Sequence, residues 1–190
     1  MDTTTLTRLQ NWYLTNCDGD WEHSYGVYIN TLDNPGWRIK IDLFNTCLQD
    51  LNYDKQIDNG TFDWFFIKVA DKVLEASGDP TKLTTILTIF LDEIIPNYAD
   101  QSFEYEVYIQ LIGGLTKIWR PVKAKIISED TLQITRLPDL IYKDIRTTTL
   151  DDLTFDKEDI FNYKTNIQVG DNINVELIET FSGITLAAKE

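Results

Sequence analysis

The chain has 190 residues, 43% hydrophobic and 25% charged, and this ordinary globular composition excludes general disorder, collagen-like repeats and a disulfide-dense mini-protein. Seventeen basic and 31 acidic side chains give a formal net charge of −14. That charge argues against direct nucleic-acid binding, because phosphate backbones would be repelled. It suits a basic partner, although acidity also keeps many proteins soluble.

Residues 1–45 predict a helix followed by a β-hairpin. Helical spacing of apolar side chains indicates a helix over about Thr4–Asn16. Its expected buried face consists of Leu6, Leu9, Tyr13, Leu14 and Cys17. Residues 24–32 and 37–44 are strand-like, and the sequence Asp-Asn-Pro-Gly at 33–36 predicts the turn that joins them. From Trp37 to Leu43 the odd-numbered positions are apolar and the even-numbered positions charged, so one face should be buried.

Residues 46–97 predict more sheet and a second helix. A short strand is expected near Cys47–Leu51, and the aromatic segment 62–69 predicts a third strand that could continue toward Leu74. Asp79 suits a helix cap and Pro80 the first helical position. A clear amphipathic helix should follow and end near Pro96. Residues 1–97 are therefore predicted to form an α+β domain with the order helix, antiparallel sheet, helix.

Residues 101–190 predict a second domain, a small all-β barrel-like unit of about five strands. Strand patterns cover 103–111, 118–126 and 132–135, and Gly113-Gly114 should end the first of them. Pro121 places its strand at an edge or at a bulge. A terminal hairpin is expected to turn at Phe181-Ser182-Gly183. The polar stretch 137–166, with scattered aromatic residues, predicts no clear element.

The densest group of reactive side chains is the run Cys17-Asp18-Gly19-Asp20-Trp21-Glu22-His23, which contains the single histidine. Its three carboxylates imitate the start of a calcium loop, but His23 occupies the glycine position and Ile29 the final glutamate position. A Cys17–His23 nucleophilic pair is a second alternative, although Cys17 continues the apolar face of the first helix. We therefore predict no metal site, no cofactor and no catalytic residue.

A further alternative is a module that binds peptide or carbohydrate through exposed aromatic side chains. Five Trp, nine Tyr and nine Phe are present, and most should belong to the core. Trp21 stands between carboxylates at a break between helix and strand, where it could anchor a partner.

Two cysteines, Cys17 and Cys47, predict no disulfide framework. The first residues lack the pattern of a signal peptide, and the most apolar run, 86–95, is too short and too acidic to span a bilayer. We expect a cytoplasmic protein with reduced thiols and no membrane contact. The oligomeric state is not predicted by the sequence.

Three segments of the first half closely resemble the immunity protein 53 family, whose members accompany bacterial polymorphic toxins. These segments are Asn-Trp-Tyr at 11–13, Cys-Asp-Gly-Asp-Trp-Glu-His-Ser-Tyr-Gly at 17–26 and Thr-Leu-Asp-Asn-Pro-Gly-Trp at 31–37. Ile41-Asp42-Leu43 and the helix after Gly78-Asp79-Pro80 fit the same family, so the resemblance covers about residues 6–95. In the second half, Trp-Arg-Pro-Val at 119–122 resembles a small β module that accompanies other immunity-type domains.

The resemblance implies a protein that binds and neutralises a cognate toxin without catalysis. If that toxin is basic, the implied polar contacts are Asp18, Asp20, Glu22 and Asp33, with Trp21 as an anchor and His23 beside them. The same residues also have a structural interpretation. Asp18 and Asp20 would then cap and turn the chain, His23 would bond within the core, and Asp33 would simply belong to a hairpin turn.

Overall fold

The computed structural model describes residues 3–111, 118–128, 131–137, 165–180 and 183–189. The chain divides into two compact units, Met1–Phe103 and Glu104–Glu190, and each is described by itself. The assignment of residues 1–97 and 101–190 to separate domains stays a prediction. None of the described helices is long and apolar enough to cross a membrane.

The first unit is built on a five-stranded antiparallel sheet with the order β1-β2-β5-β4-β3. Its strands are β1 Val27–Leu32, β2 Gly36–Asp42, β3 Tyr53–Asp58, β4 Trp64–Ala70 and β5 Val73–Gly78. The helical elements are α1 Thr3–Asn16, α2 Trp21–Ser24, α3 Leu83–Thr88, a π-helical segment Ile89–Ile94 and α4 Ile95–Tyr98. The class is mixed α and β, as predicted, with sheet as its larger part.

The hairpin of β1 and β2 is confirmed. Leu32 pairs with Gly36 across the predicted turn, and Val27 pairs with Ile41 at the far end. Ile39 and Ile41 are fully buried, which confirms the predicted apolar face of β2. Gly36 is required where it lies, because a Cβ atom there would be 2.6 Å from the backbone oxygen of Gly78.

The middle of the first unit contains two strands that the sequence analysis missed. The predicted strand near Cys47–Leu51 is wrong: this segment forms turns, and β3 begins only at Tyr53. The strand over 62–69 does not continue to Leu74, because the chain reverses at Asp71 and Lys72 into β5. Both residues have positive φ, 52° and 64°, in a tight turn without the glycine that usually marks one.

The predicted order helix, sheet, helix is not matched, since a second helix, α2, precedes a larger sheet than expected. The closing helix is also irregular. Its centre widens into a π-helical segment, and it continues past Pro96 to Tyr98. Pro96 has no N–H to donate to the preceding turn, and it lies two residues after Ile94, the end of this widened segment.

The core of the first unit lies between the helices and one face of the sheet. Trp12 of α1 meets Phe90 edge-to-face at 5.1 Å between ring centroids. Leu9 and Cys17 are buried as predicted, but Leu6 is 43% exposed, so that part of the predicted face is wrong. Helical spacing places a residue on a face without fixing how far the core extends along that face.

Asp79 connects β5 to the closing helix and is 1% exposed. Its carboxylate accepts hydrogen bonds from the Thr81 hydroxyl at 2.7 Å, the Thr81 N–H at 2.8 Å and the Trp64 N–H at 3.0 Å. Because α3 begins at Leu83, Asp79 caps the turn before the helix and not the helix itself, and Pro80 lies outside the helix.

The environment of Asp79 predicts a pH-dependent stability. Burial alone would raise the pKa of this carboxyl, but the hydrogen bonds from Thr81 and Trp64 and the charge of Lys82 lower it to about 2. An unfolded aspartate has a pKa of about 3.9, so the ionised carboxylate stabilises the fold above that pH and ceases to do so as the pH falls through about 2. We expect the urea concentration at the unfolding midpoint to decrease as the pH is lowered from about 4 to about 2. In Asp79→Asn, which has no carboxyl to protonate at this position, the decrease over the same pH range should be smaller. Equal slopes in the two proteins would contradict this assignment.

The second unit contains a closed five-stranded barrel, which confirms the predicted barrel-like unit of about five strands. Its strand order, β10-β6-β7-β8-β9, was not predicted. Its strands are β6 Tyr105–Leu111, β7 Ile118–Ser128, β8 Thr131–Arg136, β9 Asn172–Thr180 and β10 Gly183–Ala188. Neighbouring strands are antiparallel except β10 and β6, which pair in parallel at Ala187 and Tyr108. Val107, Ile109 and Ala124 are fully buried in this unit.

Pro121 lies where the sequence predicted an irregular strand. It pairs with Tyr108 of β6, whereas the pairing of β7 with β8 begins at Lys123 and shifts register directly after it. The predictions for Gly113-Gly114 and for residues 181–182 of the terminal turn fall outside the described residues, as does nearly all of 137–166.

Candidate partner-binding site

The acidic turn, defined here as residues 18–23, follows directly on α1. Helix α1 ends where Asn16 turns its side-chain amide back onto the Trp12 carbonyl at 2.6 Å. Gly19 then takes a φ of +96°, a conformation that costs glycine little and other residues more. The chain thus reverses and starts α2 at Trp21.

Asp18 and Glu22 fix this turn by reciprocal hydrogen bonds to the backbone. Asp18 Oδ1 accepts from the N–H groups of Asp20 at 3.0 Å and Trp21 at 2.8 Å. Glu22 Oε2 accepts from the N–H groups of Asp18 and Gly19, each at 3.2 Å. The arrangement resembles a capping box, in which two side chains satisfy the free N–H groups at a helix start. The structural role suggested for Asp18 is therefore present.

Trp21 lies beneath the turn and is only 2% exposed. Its indole N–H donates to the Phe44 carbonyl at 2.8 Å, and its ring meets Trp12 at 6.2 Å and Tyr13 at 5.9 Å between centroids. In this position it offers a partner almost no surface. We therefore correct the anchor interpretation: Trp21 supports the turn from the core side.

Asp20 and His23 lie on the outer side of the turn and are exposed. The His23 N–H donates to the Asp20 carbonyl at 3.3 Å, and the His23 side chain is not in the core. The structural interpretation that buried this histidine is therefore wrong. The geometry leaves the Asp20 carboxylate and the imidazole facing solvent, where a partner could reach both.

The carboxylates of Asp18, Asp20 and Glu22 have no cationic neighbour within 4.0 Å in the part of the chain that the structure describes. Among the described residues of the first unit, six other carboxylates have a cationic partner within 4.0 Å. The described pairs are Arg8–Asp92, Arg38–Glu75, Lys40–Asp42, Lys55–Glu93, Lys82–Asp63 and Lys82–Asp79. The acidic turn therefore carries charge that these ion pairs do not neutralise.

Asp33 does not join this group. It lies in the hairpin turn after β1, where its Oδ1 accepts from the Asn34 N–H at 2.9 Å. Residues 25–32 lie between α2 and Asp33, and the six residues of β1 alone span about 17–20 Å. The structure thus brings Asp18, Asp20, Trp21, Glu22 and His23 together and places Asp33 at the other end of β1.

Comparison with known families decides what this region resembles. Residues 6–94 match the family model of immunity protein 53. The resemblance found in the sequence is confirmed over slightly less than half of the chain, and the matched region contains all six candidate residues. A search of curated proteins and a search of solved structures found no match. The resemblance of the second half to an appended β module stays a prediction.

Within the matched region, Cys17 is poorly suited to nucleophilic catalysis. Its thiol is buried and donates to the Tyr13 carbonyl at 3.4 Å. Burial, and after it the charge of Glu22, raises the pKa of this thiol to about 11. Since the thiolate is the nucleophile, the thiol form that prevails near neutral pH is inert.

We predict that Cys17 resists alkylation in the folded protein. At about pH 8, a thiol with a pKa of about 11 is thiolate in only about one molecule in a thousand, and access is blocked as well. Cys47 is also a buried thiol and forms no disulfide with Cys17. A colorimetric thiol reagent should therefore react slowly with the native protein and with both cysteines after unfolding in urea. Rapid reaction of one native thiol would reopen the nucleophile hypothesis.

The alternatives of a metal site and an aromatic platform find little support in this region. Across the described residues, no group of three or more His, Cys, Asp or Glu side chains is placed to hold a metal ion. Two carboxylates of the calcium-like run instead bond backbone N–H groups. Trp12 and Trp21, two of the five tryptophans, are buried and therefore cannot form part of an exposed aromatic platform.

Asp42 holds the start of β1 in place, a role that was not predicted. It is 5% exposed although the alternation predicted a wet position. Its Oδ2 accepts from the Gly26 N–H at 3.1 Å, and its Oδ1 is 2.7 Å from Lys40 Nζ. The signal for such a role was the pairing of a carboxylate and a lysine two residues apart on one strand face.

The sequence analysis also missed a groove of about 360 Å³ between α1 and the start of β1. Its main lining residues are Leu9, Gln10, Tyr13, Tyr25, Val27 and Tyr28. Tyr13 is close enough to Glu22 for that charge to contribute to a raised pKa of the phenol, after the larger effect of burial. The groove thus lies beside the acidic turn.

Proposed function

We propose that this chain is an immunity protein that binds a cognate bacterial polymorphic toxin in the producing cell and neutralises it without catalysis. The observation that carries the proposal is the match of residues 6–94 to the immunity protein 53 family. The family suggests the role, and the chemistry of this chain suggests how the role is performed.

Charge supports a basic toxin as the partner. The chain carries a net charge of −14, and residues 1–100 alone hold 16 acidic and 7 basic side chains. A toxin that cuts nucleic acid needs a basic face for its substrate, and an acidic inhibitor that resembles phosphate would be attracted to that face. Attraction at long range speeds encounter more than it adds to final affinity.

We assign the toxin contact to the first unit, at the acidic turn. Asp18, Asp20 and His23 are its exposed polar residues, and the side chains of Asp18 and Glu22 hold the backbone of the turn in one conformation. Such preorganisation favours binding, because little conformational freedom remains to be lost when the partner arrives. Trp21 contributes indirectly by fixing the turn to the core.

Growth rescue tests this function. The toxin domain encoded beside this gene is expressed from an inducible promoter, alone or together with the full chain. We expect toxin alone to stop growth and co-expression to restore it, with the two proteins purifying as one complex. A toxin that stays lethal and unbound in the presence of soluble chain would refute the proposal.

A further inference from the structure

Strand β1 is an open edge of the sheet in the first unit. It is the outermost strand and pairs only with β2 in the described part of the chain. The Asp42 N–H donates to the Gly26 carbonyl at 3.0 Å, so Gly26 and alternate residues after it face β2. Val27, Ile29 and Thr31 therefore direct their N–H and C=O groups away from the sheet.

The two edges of this sheet differ in how they are protected. Strand β3, the opposite edge, carries Asp54, Lys55 and Asp58 among its six residues. Strand β1 reads Val-Tyr-Ile-Asn-Thr-Leu, with no charge and no proline, and Tyr28 and Ile29 are 46% and 37% exposed. Charges on edge strands normally discourage pairing with another chain. Only β3 has that protection.

Apolar surface continues beside this edge. The groove between α1 and β1 runs along its first residues, and Gln10 and Tyr13 line it from the helix. Leu6 precedes them by four and seven residues, which places it on the same side of α1, and it is 43% exposed. A strand added to β1 would have Leu6 and the groove available for its core-facing side chains.

Charge at the two ends of β1 indicates what the added strand should be. The acidic turn precedes β1, and Asp33 follows it. A second copy of this chain is a poor occupant, because both orientations place acidic groups together. Antiparallel pairing would bring the acidic turn of each copy against Asp33 of the other, and parallel pairing would bring like ends together. A strand with a lysine or arginine beyond each end of the stretch that pairs with β1 would meet both acidic positions.

We propose that the partner binds by adding an extended segment, uncharged in its centre and basic at its ends, to the outer edge of β1. The inference rests on the proposed function, since the partner is the toxin. Backbone hydrogen bonds to Val27, Ile29 and Thr31 supply affinity, and the acidic positions at the ends select the register.

Proline substitution tests the edge. Ile29→Pro removes an outward N–H and places a ring where the new strand would approach, and edge positions with outward N–H groups are those where proline is tolerated. The matched control is Gln56→Pro, since the Asn59 N–H donates to the Asp63 carbonyl and Gln56 by alternation faces outward from β3. Both variants are compared with the full wild-type chain for affinity to the purified toxin domain.

We expect Ile29→Pro to lower toxin affinity by at least about 30-fold and Gln56→Pro by less than about 3-fold. Amide exchange by NMR gives an independent readout in the wild-type complex, where Val27, Ile29 and Thr31 should become protected. This readout decides the question if Ile29→Pro fails to fold.

Two results would overturn the inference and leave the proposed function standing. One is a toxin that binds wild type and both variants equally, and the other is outward amides of β1 that exchange in the complex as in the free chain. Protection of those amides in the free chain, or a wild-type dimer joined at this edge, would also overturn it. Absence of any toxin binding by wild type would refute the proposed function and the inference together.

Discussion

Trp21→Ala is expected to destabilise the first unit by about 3–5 kcal/mol, the usual range for removing a buried tryptophan. Trp21 is 2% exposed, touches three aromatic rings and donates its indole N–H to the Phe44 carbonyl. Its loss should leave a cavity beside the rings of Trp12, Tyr13 and Tyr25. Urea unfolding followed by far-UV circular dichroism measures the change without relying on tryptophan fluorescence.

Two further variants show what the indole hydrogen bond contributes and how much an exposed aromatic residue matters. Trp21→Phe keeps an aromatic ring but leaves the Phe44 carbonyl without its donor, and we expect a loss of about 1–2 kcal/mol beyond the effect of smaller size. Phe62→Ala is the exposed control, since Phe62 is 86% exposed and should change stability by less than about 0.5 kcal/mol. If Trp21→Ala behaved like Phe62→Ala, the supporting role of Trp21 would be wrong.

Asp20→Lys is expected to weaken toxin binding by about 10- to 100-fold while leaving the fold intact, because it reverses an exposed charge that faces the proposed basic partner. Its backbone bonds to Asp18 and His23 do not depend on the side chain. Most of the change should appear in the association rate, and it should shrink as salt is raised. Surface plasmon resonance at low and high ionic strength measures both effects.

Asp50→Lys is the matched control for this charge reversal. Asp50 is exposed, and its replacement by lysine changes the net charge by the same amount as Asp20→Lys. However, Asp50 lies three residues before β3, the edge strand opposite to β1. An equal loss of affinity in the two variants would mean that overall charge, and not the acidic turn, attracts the toxin. A larger loss with Asp20→Lys locates the contact.

Local patterns predicted those elements whose signals lie within a few neighbouring residues. Helix α1, the β1–β2 hairpin with its Pro-Gly turn, and the five strands of the barrel follow from periodicity and turn residues. Strands β3 and β5 were missed for the opposite reason. The reversal at Asp71 and Lys72 uses positive φ without glycine, and β3 is a charged edge strand without apolar alternation.

The candidate site was predicted in composition but not in arrangement. The sequence identified the acidic run as unusual, and the structure places Asp18, Asp20, Glu22 and His23 in one turn. The burial of Trp21 could not be predicted from the local sequence, because it depends on contacts with Phe44 and with the rings of α1, which are remote in sequence. Nor could the sequence separate Asp33 from the turn, since that separation is set by the length and direction of β1.

The measurement that tests the account most directly is isothermal titration of the full chain with the toxin domain encoded beside it, together with an assay of the toxin's own activity. We predict a one-to-one complex and loss of toxin activity at equimolar chain, with affinity that falls as salt is raised. No heat of binding and an unchanged toxin activity, with both proteins folded, would contradict the central claim that this chain is an immunity protein.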